Sequence, residues 1–353
     1  MNVLFTRLQN IGDMLVCVPA LRALRQALPH ARITLLAKHA GGVEIIEQCP
    51  YVDEVVVVRN RSLREKLRLL RILRARRYEY AIISPQDLGR VPLVWLGGAR
   101  QIAGYARVFN YGCWQREKLP WLLDIAPHHD TMRTEIENCL RLVVDVVERC
   151  GVALERVPSL ELEYSWATEG DAAAAEAMLA RCGIAAGAGF VALAPYSKRA
   201  AKNWPQERWS AVIERMRAAW GVPVVLLGGA AEAGRLAELR EAAGAGVHVL
   251  GGATTLAQCA MIIRRARLFV GPDSGPAFLA TAVGTAAVVL YGPADYYRWR
   301  VPECTAPRIE LVHFVPCNPC RHQICPQAVP CMTLISVEEV WRACEQLWRR
   351  NGS

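Results

Sequence analysis

Long apolar runs are missing from this chain. No stretch approaches the roughly 18 residues that a membrane-spanning helix needs, although 53% of the residues are hydrophobic. The apolar core of a signal peptide is missing too, because Arg7, Asp13 and Arg22 interrupt the N-terminal stretch. Together these absences predict a cytoplasmic protein, whose 13 cysteines are thiols or metal ligands rather than disulfides. No low-complexity tract occurs, so the chain reads as globular. Neither candidate first strand is followed by Gly-x-Gly-x-x-Gly, which disfavours a dinucleotide-binding dehydrogenase. Acidic residues are too few to balance the basic ones, 33 against 42, leaving a formal charge of +9. Such a surplus attracts anionic partners: nucleic acid, a phosphorylated substrate or an acidic membrane surface.

What is present points to an α/β protein. A chain of 353 residues suggests two domains. Residues 3–6, 32–37, 54–58, 80–84 and 101–105 read as strands, and helical patterns separate most of them. That alternation predicts a parallel sheet covered on both faces. Helices are expected over 14–28 and 131–150, and a short strand over 160–164. An Ala-rich helix and a Gly-rich run then read as a hinge. A second alternating set follows, with strands at 190–194, 222–227, 247–250, 268–270 and 286–290. The predicted organisation is a first domain over 1–165, a linker over 166–188, a second domain over 189–335 with a Cys-rich loop at 304–331, and a terminal helix over 336–353.

Several side chains stand where chemistry is expected. Asp13 lies between the first strand and first helix, over the carboxyl ends of the strands. It can serve as a general base or simply cap the helix. Ser197, Lys198, Arg199 and Lys202 follow the first strand of the second set. The cations there can neutralise a phosphate or form an ordinary basic loop. Glu232 opens a helix, where a carboxylate binds a ribose diol or complements the helix dipole. Asp273, Ser274 and Gly275 lead into another helix, whose free N–H groups suit a diphosphate; Asp273 or Ser274 can equally be only its cap. Over 61–77, Leu63, Leu67, Leu70 and Leu73 share one helical stripe expected to face the core. Arg61, Arg64, Arg68 and Arg71 share another, with only Glu65 to offset them. That face is either a solvated surface or a contact for an anionic ligand or membrane. Cys317, Cys320, Cys325 and Cys331 are spaced like a small zinc knuckle and make either a structural thiolate site or a packed loop of thiols.

The order of these motifs resembles glycosyltransferase family 9, the heptosyltransferases of lipopolysaccharide core assembly. The match runs through Arg7-Leu-Gln-Asn-Ile-Gly-Asp13, Pro19-Ala-Leu21, Lys202-Asn-Trp-Pro205, Gly271-Pro-Asp-Ser-Gly-Pro276 and Tyr291-Gly-Pro293. The resemblance implies a GT-B fold, two Rossmann-like doubly wound parallel-sheet domains facing across a cleft, with the terminal helix crossing back to the first domain. It also implies inverting, metal-independent transfer from ADP-heptose to the lipopolysaccharide inner core on lipid A. Asp13 matches the base, and Lys202 matches a contact to the donor phosphates. Asp273, Ser274 and Gly275 match the diphosphate turn, Glu232 the ribose contact, and Ser197 a hydroxyl near the phosphates. Arg61, Arg64 and Arg68 would receive the anionic acceptor, with peripheral contact at the inner membrane. One departure is Phe278, where the family usually has His; this leaves another sugar nucleotide open as donor. A basic nucleic-acid-binding protein with a zinc knuckle is the reading from another class, and it leaves Asp13, Lys202 and the turn at 271–276 unused.

Overall fold

The structure, a computed structural model, describes residues 1–7, 10–38, 40–60, 62–85, 87, 89–110, 113–154 and 157–350. It divides into two units: Met1–Leu162 with Tyr297–Glu303, and Glu163–Tyr296 with Cys304–Ser353.

In the first unit β1 (Asn2–Arg7), β2 (Arg32–Lys38), β3 (Glu54–Val58), β4 (Tyr80–Ile83) and β5 (Gln101–Ala103) form one sheet in the order β3-β2-β1-β4-β5. All neighbours are parallel. Val3, Leu4, Phe5, Ile33, Leu35 and Leu36 are buried on both faces, as near-continuous apolar runs require. The helices are α1 (Ile11–Leu15), α2 (Val18–Ala27), α3 (Ala40–Ile46), α4 (Leu63–Arg76), α5 (Val91–Leu96) and α6 (Glu135–Arg149). The single helix expected over 14–28 is two, because Pro19 in the first turn of α2 has no N–H to continue a helix from α1. The hairpin β6 (Arg107–Asn110) and β7 (Cys113–Arg116) is antiparallel and was not expected. Residues 160–164 are not a strand; Tyr164 N–H bonds to the Ala282 carbonyl at 3.0 Å.

The leucines of α4 bear out the sequence reading at Leu73 and correct it at Leu63 and Leu67. Leu69 and Leu73 enter the core, whereas Leu63 is 71% and Leu67 46% exposed. The rotation has an electrostatic cause. Buried Glu65 accepts from Arg59 N at 3.0 Å and from the Arg68 fork at 2.8 and 2.6 Å. Arg68 also donates to the Val57 carbonyl. The Arg68 guanidinium holds the Glu65 carboxyl down at about 2. Turning Glu65 inward carries Leu69 and Leu73, four and eight residues on, with it.

In the second unit β8 (Val191–Leu193), β9 (Val224–Leu226), β10 (Val247–Val249), β11 (Leu268–Pro272), β12 (Ala287–Tyr291) and β13 (Arg308–Val312) form a parallel sheet in the order β10-β9-β8-β11-β12-β13. The edge strand β13 was not anticipated. The helices are α7 (Glu169–Arg181), α8 (Gln206–Trp220), α9 (Ala233–Ala243), α10 (Leu256–Arg265), α11 (Gly275–Ala282), α12 (Tyr296–Trp299), α13 (Pro330–Thr333) and α14 (Val337–Arg350). Residues expected to be a linker carry α7, which packs on α10 inside this unit.

The terminal helix packs onto the sheet of the second unit. Val340, Ala343, Cys344 and Leu347 of α14 join the core of the second sheet. Trp220 of α8 stacks on Trp348 at 4.3 Å and 6°, and on Trp341 at 5.1 Å and 26°. Burying aromatic rings against one another outweighs a surface position. The segment Tyr297–Glu303 belongs to the first unit.

Candidate active site

In open parallel sheets, ligands bind past the carboxyl ends of the strands, where the strand order reverses. Here the reversals fall between β1 and β4 in one unit and between β8 and β11 in the other. Each is surrounded by residues singled out from the sequence.

At the first reversal, Asp13 lies in the first turn of α1 and is 8% exposed. Its Oδ2 accepts from Asn10 N at 3.0 Å and Asn10 Nδ2 at 3.3 Å, so it does cap the helix. Its Oδ1 also accepts from Arg7 Nη2 at 3.1 Å, and Arg7 Nε reaches the Asp13 carbonyl at 2.9 Å. Capping alone does not call for a buried guanidinium. Arg7 ends β1 and is fully buried. Its Nη1 pairs with Glu135 at 2.8 Å and lies 3.4 Å from the Ser84 hydroxyl just past β4. Burial alone would raise the Glu135 carboxyl, but Arg298 and Arg7 outweigh it and hold the group at about 2.

Near this network His129 packs edge-on to Tyr105 at 5.2 Å. Burial, together with the Arg298 charge, pushes its imidazole down to about 4. In the unfolded chain an imidazole protonates near 6.5. Its folded value is depressed, so stability is complete above about 6.5 and is lost as pH falls toward about 4. Thermal melting should therefore decline from pH 7 to pH 5. His129→Gln should flatten that decline, and an unchanged slope would contradict the assignment.

At the second reversal, Lys202 lies in the loop after β8. Its Nζ donates to the Asp273 carbonyl and to Oδ2, both at 2.7 Å. Asp273 is 2% exposed, so its carboxylate holds Lys202 rather than facing solvent. The ammonium has a third donor for another partner. Ser274 precedes α11, and its hydroxyl is buried without a partner among the described residues. Gly275 begins the helix. A side chain at Gly271 would meet the Ala194 carbonyl at 2.8 Å, so glycine lets β11 lie this close to β8. Ser197 bonds within its own loop, accepting from Arg199 N at 3.1 Å. Glu232 accepts from Gly229 N at 2.7 Å and thus caps the turn before α9. Phe278 is buried in α11, and its ring supplies no donor.

Of the proposed acceptor cations, Arg61 lies outside the described residues. Arg64 is exposed. Arg68 is turned inward and spent on Glu65 and Val57, which removes it from the set. Sequence reading missed Glu135 and Arg298; nothing in their local sequence connects two positions so far apart.

Cys317, Cys320, Cys325 and Cys331 line one apolar cavity of ≈10 Å³ together with Ala201, Pro293 and Val315. Among the described residues, no three His, Cys, Asp or Glu side chains are placed to hold a metal ion. Burial and the neighbouring thiols push Cys331 up to about 11. The loop does brace the turns after β8 and β12. Ala201 N bonds to the Gln323 carbonyl at 2.9 Å, Arg199 Nε to His322 O at 2.9 Å, and Cys320 N to Pro293 O at 3.1 Å.

Residues 66–329 match the sequence profile of glycosyltransferase family 9 (heptosyltransferase). The chain belongs to glycosyltransferase family 9. It is 26% identical over 302 residues to lipopolysaccharide heptosyltransferase 3 of Escherichia coli, covering 82% of this chain and 83% of that protein. The glycosyl transferase family 9 structure from Veillonella parvula shares the fold, with a TM-score of 0.82 at 21% identity over 99% of this chain and 97% of that one. The Escherichia coli heptosyltransferase WaaC, solved with ADP-2-deoxy-2-fluoro heptose, superposes with a TM-score of 0.70 at 20% identity, covering 98% and 99% of the two chains. As a family 9 member the protein is a glycosyltransferase. No helix among its described residues is long and apolar enough to cross a membrane.

Proposed function

We propose that the two units are the acceptor and donor halves of a GT-B transferase that moves heptose from ADP-heptose to the lipopolysaccharide inner core. The observation that carries this reading is the placement of Asp13 at one strand-order reversal and of Lys202, Ser274 and the α11 N-terminus at the other. Asp13 takes the proton from an acceptor hydroxyl as its oxygen bonds to the anomeric carbon. The bond from that carbon to the diphosphate breaks on the opposite face, inverting the centre, and ADP leaves. Lys202 and the α11 N–H groups supply positive charge where the leaving diphosphate gains negative charge; this is why the transfer is read as metal-independent. Ser274 offers a hydroxyl to the same group, and Glu232 serves the ribose after releasing Gly229. Calorimetric titration with ADP, UDP and GDP tests the donor half. ADP should bind at least tenfold more tightly than the others, and equal binding of all three would remove the adenine assignment.

The acceptor is lipid-anchored in this reading, and α4 suits such a partner. Leu63, Leu67, Trp95 and Leu96 are exposed beside Arg64, Arg71 and Arg74. Arg74 Nε bonds to the Leu96 carbonyl at 3.0 Å, which ties α4 to the end of α5. Apolar side chains edged by arginine fit the surface of an anionic bilayer. Each basic residue near such a surface contributes about 1 kcal/mol, so Arg64→Gln with Arg71→Gln should weaken binding to phosphatidylglycerol vesicles about 30-fold. Equal sedimentation of native and variant protein with those vesicles would refute the peripheral contact.

A further inference from the structure

The transfer step as read above uses Asp13 alone on the acceptor side, yet Asp13 is the outer end of a longer buried chain of charges. Arg7 bridges Asp13 to Glu135. The second oxygen of Glu135 accepts from Arg298 Nε at 2.8 Å and lies 2.7 Å from Nη2. Arg298 also donates to the Phe109 carbonyl of β6. Two cations and two carboxylates therefore balance, and Arg7, Glu135 and Arg298 are 0%, 0% and 3% exposed.

Stability alone is a poor reason for such a chain. Well-packed apolar residues often replace buried ion pairs without loss. Its geometry bears instead on Asp13. An ionised carboxylate has about four acceptor positions, and Arg7 with the two Asn10 donors takes three of them. The remaining direction is fixed as long as Arg7 is fixed, and Arg7 is fixed by Glu135. Glu135 is held in turn by Arg298, from the segment Tyr297–Glu303 that returns to this unit while the chain on either side belongs to the other.

We infer that Arg7, Glu135 and Arg298 are positioning residues for transfer, a buried relay that sets the direction in which the Asp13 carboxylate meets the acceptor hydroxyl. This rests on Asp13 as the base. The titratable and charged groups facing the relay are Asp13 of α1, Cys17 before α2, Tyr105 after β5, Cys139 of α6, and His129 before α6, which itself faces Asp130. Cys17 and Cys139 lie 3.7 Å apart sulfur to sulfur.

The test compares Glu135→Gln, Arg7→Met and Asp13→Asn with native protein, each confirmed as folded by circular dichroism. Misplacing a reacting group by about 1 Å costs on the order of 100-fold. Glu135→Gln and Arg7→Met should each lower kcat by about that factor, with KM and ADP affinity nearly unchanged. Their pH–rate profiles should move oppositely. Losing the Glu135 charge leaves Arg7 acting on Asp13 alone, and the acid limb moves to lower pH. Losing Arg7 moves that limb to higher pH. A merely structural role gives no such opposition. If Glu135→Gln does not fold, Arg7→Lys, which keeps the charge but cannot span the same partners, should show the same loss of kcat. Native-like kcat, or loss in step with unfolding and no shift of the limbs, overturns the relay. Transfer by native protein and none by Asp13→Asn, with Glu135→Gln unimpaired, rejects the relay alone. No transfer by native protein removes the reading of the site and the relay with it.

Discussion

Asp13→Asn should bind ADP as native protein does and should lose transfer, with kcat falling by about 10²–10⁴-fold, the range a general base contributes. The amide keeps the shape of the carboxylate but cannot take a proton from the acceptor. Its oxygen can still accept from Arg7, as Oδ1 does at 3.1 Å. Its nitrogen then faces Asn10 N, where Oδ2 now accepts at 3.0 Å, so two donors meet. A buried donor left unpaired costs about 1–3 kcal/mol, and melting should fall accordingly. The capping role and the chemical role are thereby separable. If Asp13 only caps α1, the variant melts earlier and turns over normally. If it is the base, turnover collapses while the protein remains folded at assay temperature.

The second large effect is expected at Lys202. Removing one preorganised donor from a developing anion costs roughly 3–4 kcal/mol, or about 10²–10³ in kcat. Lys202→Met does more than that, because it strands the Asp273 carboxylate, which is 2% exposed and salt-bridged to Lys202 at 2.7 Å. Breaking a buried pair from one side destabilises by about 3–5 kcal/mol. The single variant therefore confuses a folding defect with a lost phosphate contact. Lys202→Met with Asp273→Asn removes both charges and should recover most of the melting temperature without recovering turnover or ADP affinity. Recovery of activity along with stability would show that Lys202 serves only to neutralise Asp273.

Much of the fold was legible because period and order carry it. Alternating strands and helices gave both parallel sheets, and the residues after β1, β8 and β11 fall at the strand-order reversals because any such sheet puts them there. The sequence reading failed where one distant partner decides. The leucine stripe of α4 looked core-facing until Glu65, bound to Arg59 N and Arg68, turned the helix about its axis. The aromatic stripe of α14 showed that the helix packs, but not that Trp220, more than a hundred residues earlier, is its partner. Residues 160–164 have strand-like composition but do not form a strand, and Tyr164 N–H goes to the Ala282 carbonyl. Asp13 and Lys202 were visible as chemistry-bearing side chains in the right turns. Their partners were not, since Glu135 reads locally as a first-turn acid of α6 and Arg298 as one more surface cation.

The most direct test of the account is acceptor-dependent release of ADP from ADP-heptose by purified protein, using lipopolysaccharide that lacks inner-core heptose, with Asp13→Asn run beside it. Release by the native protein that requires the acceptor and is absent from the folded variant is the predicted result. Equal release by both proteins would contradict Asp13 as the base. No release by native protein, where a known heptosyltransferase works under the same conditions, would contradict the assignment of donor and acceptor.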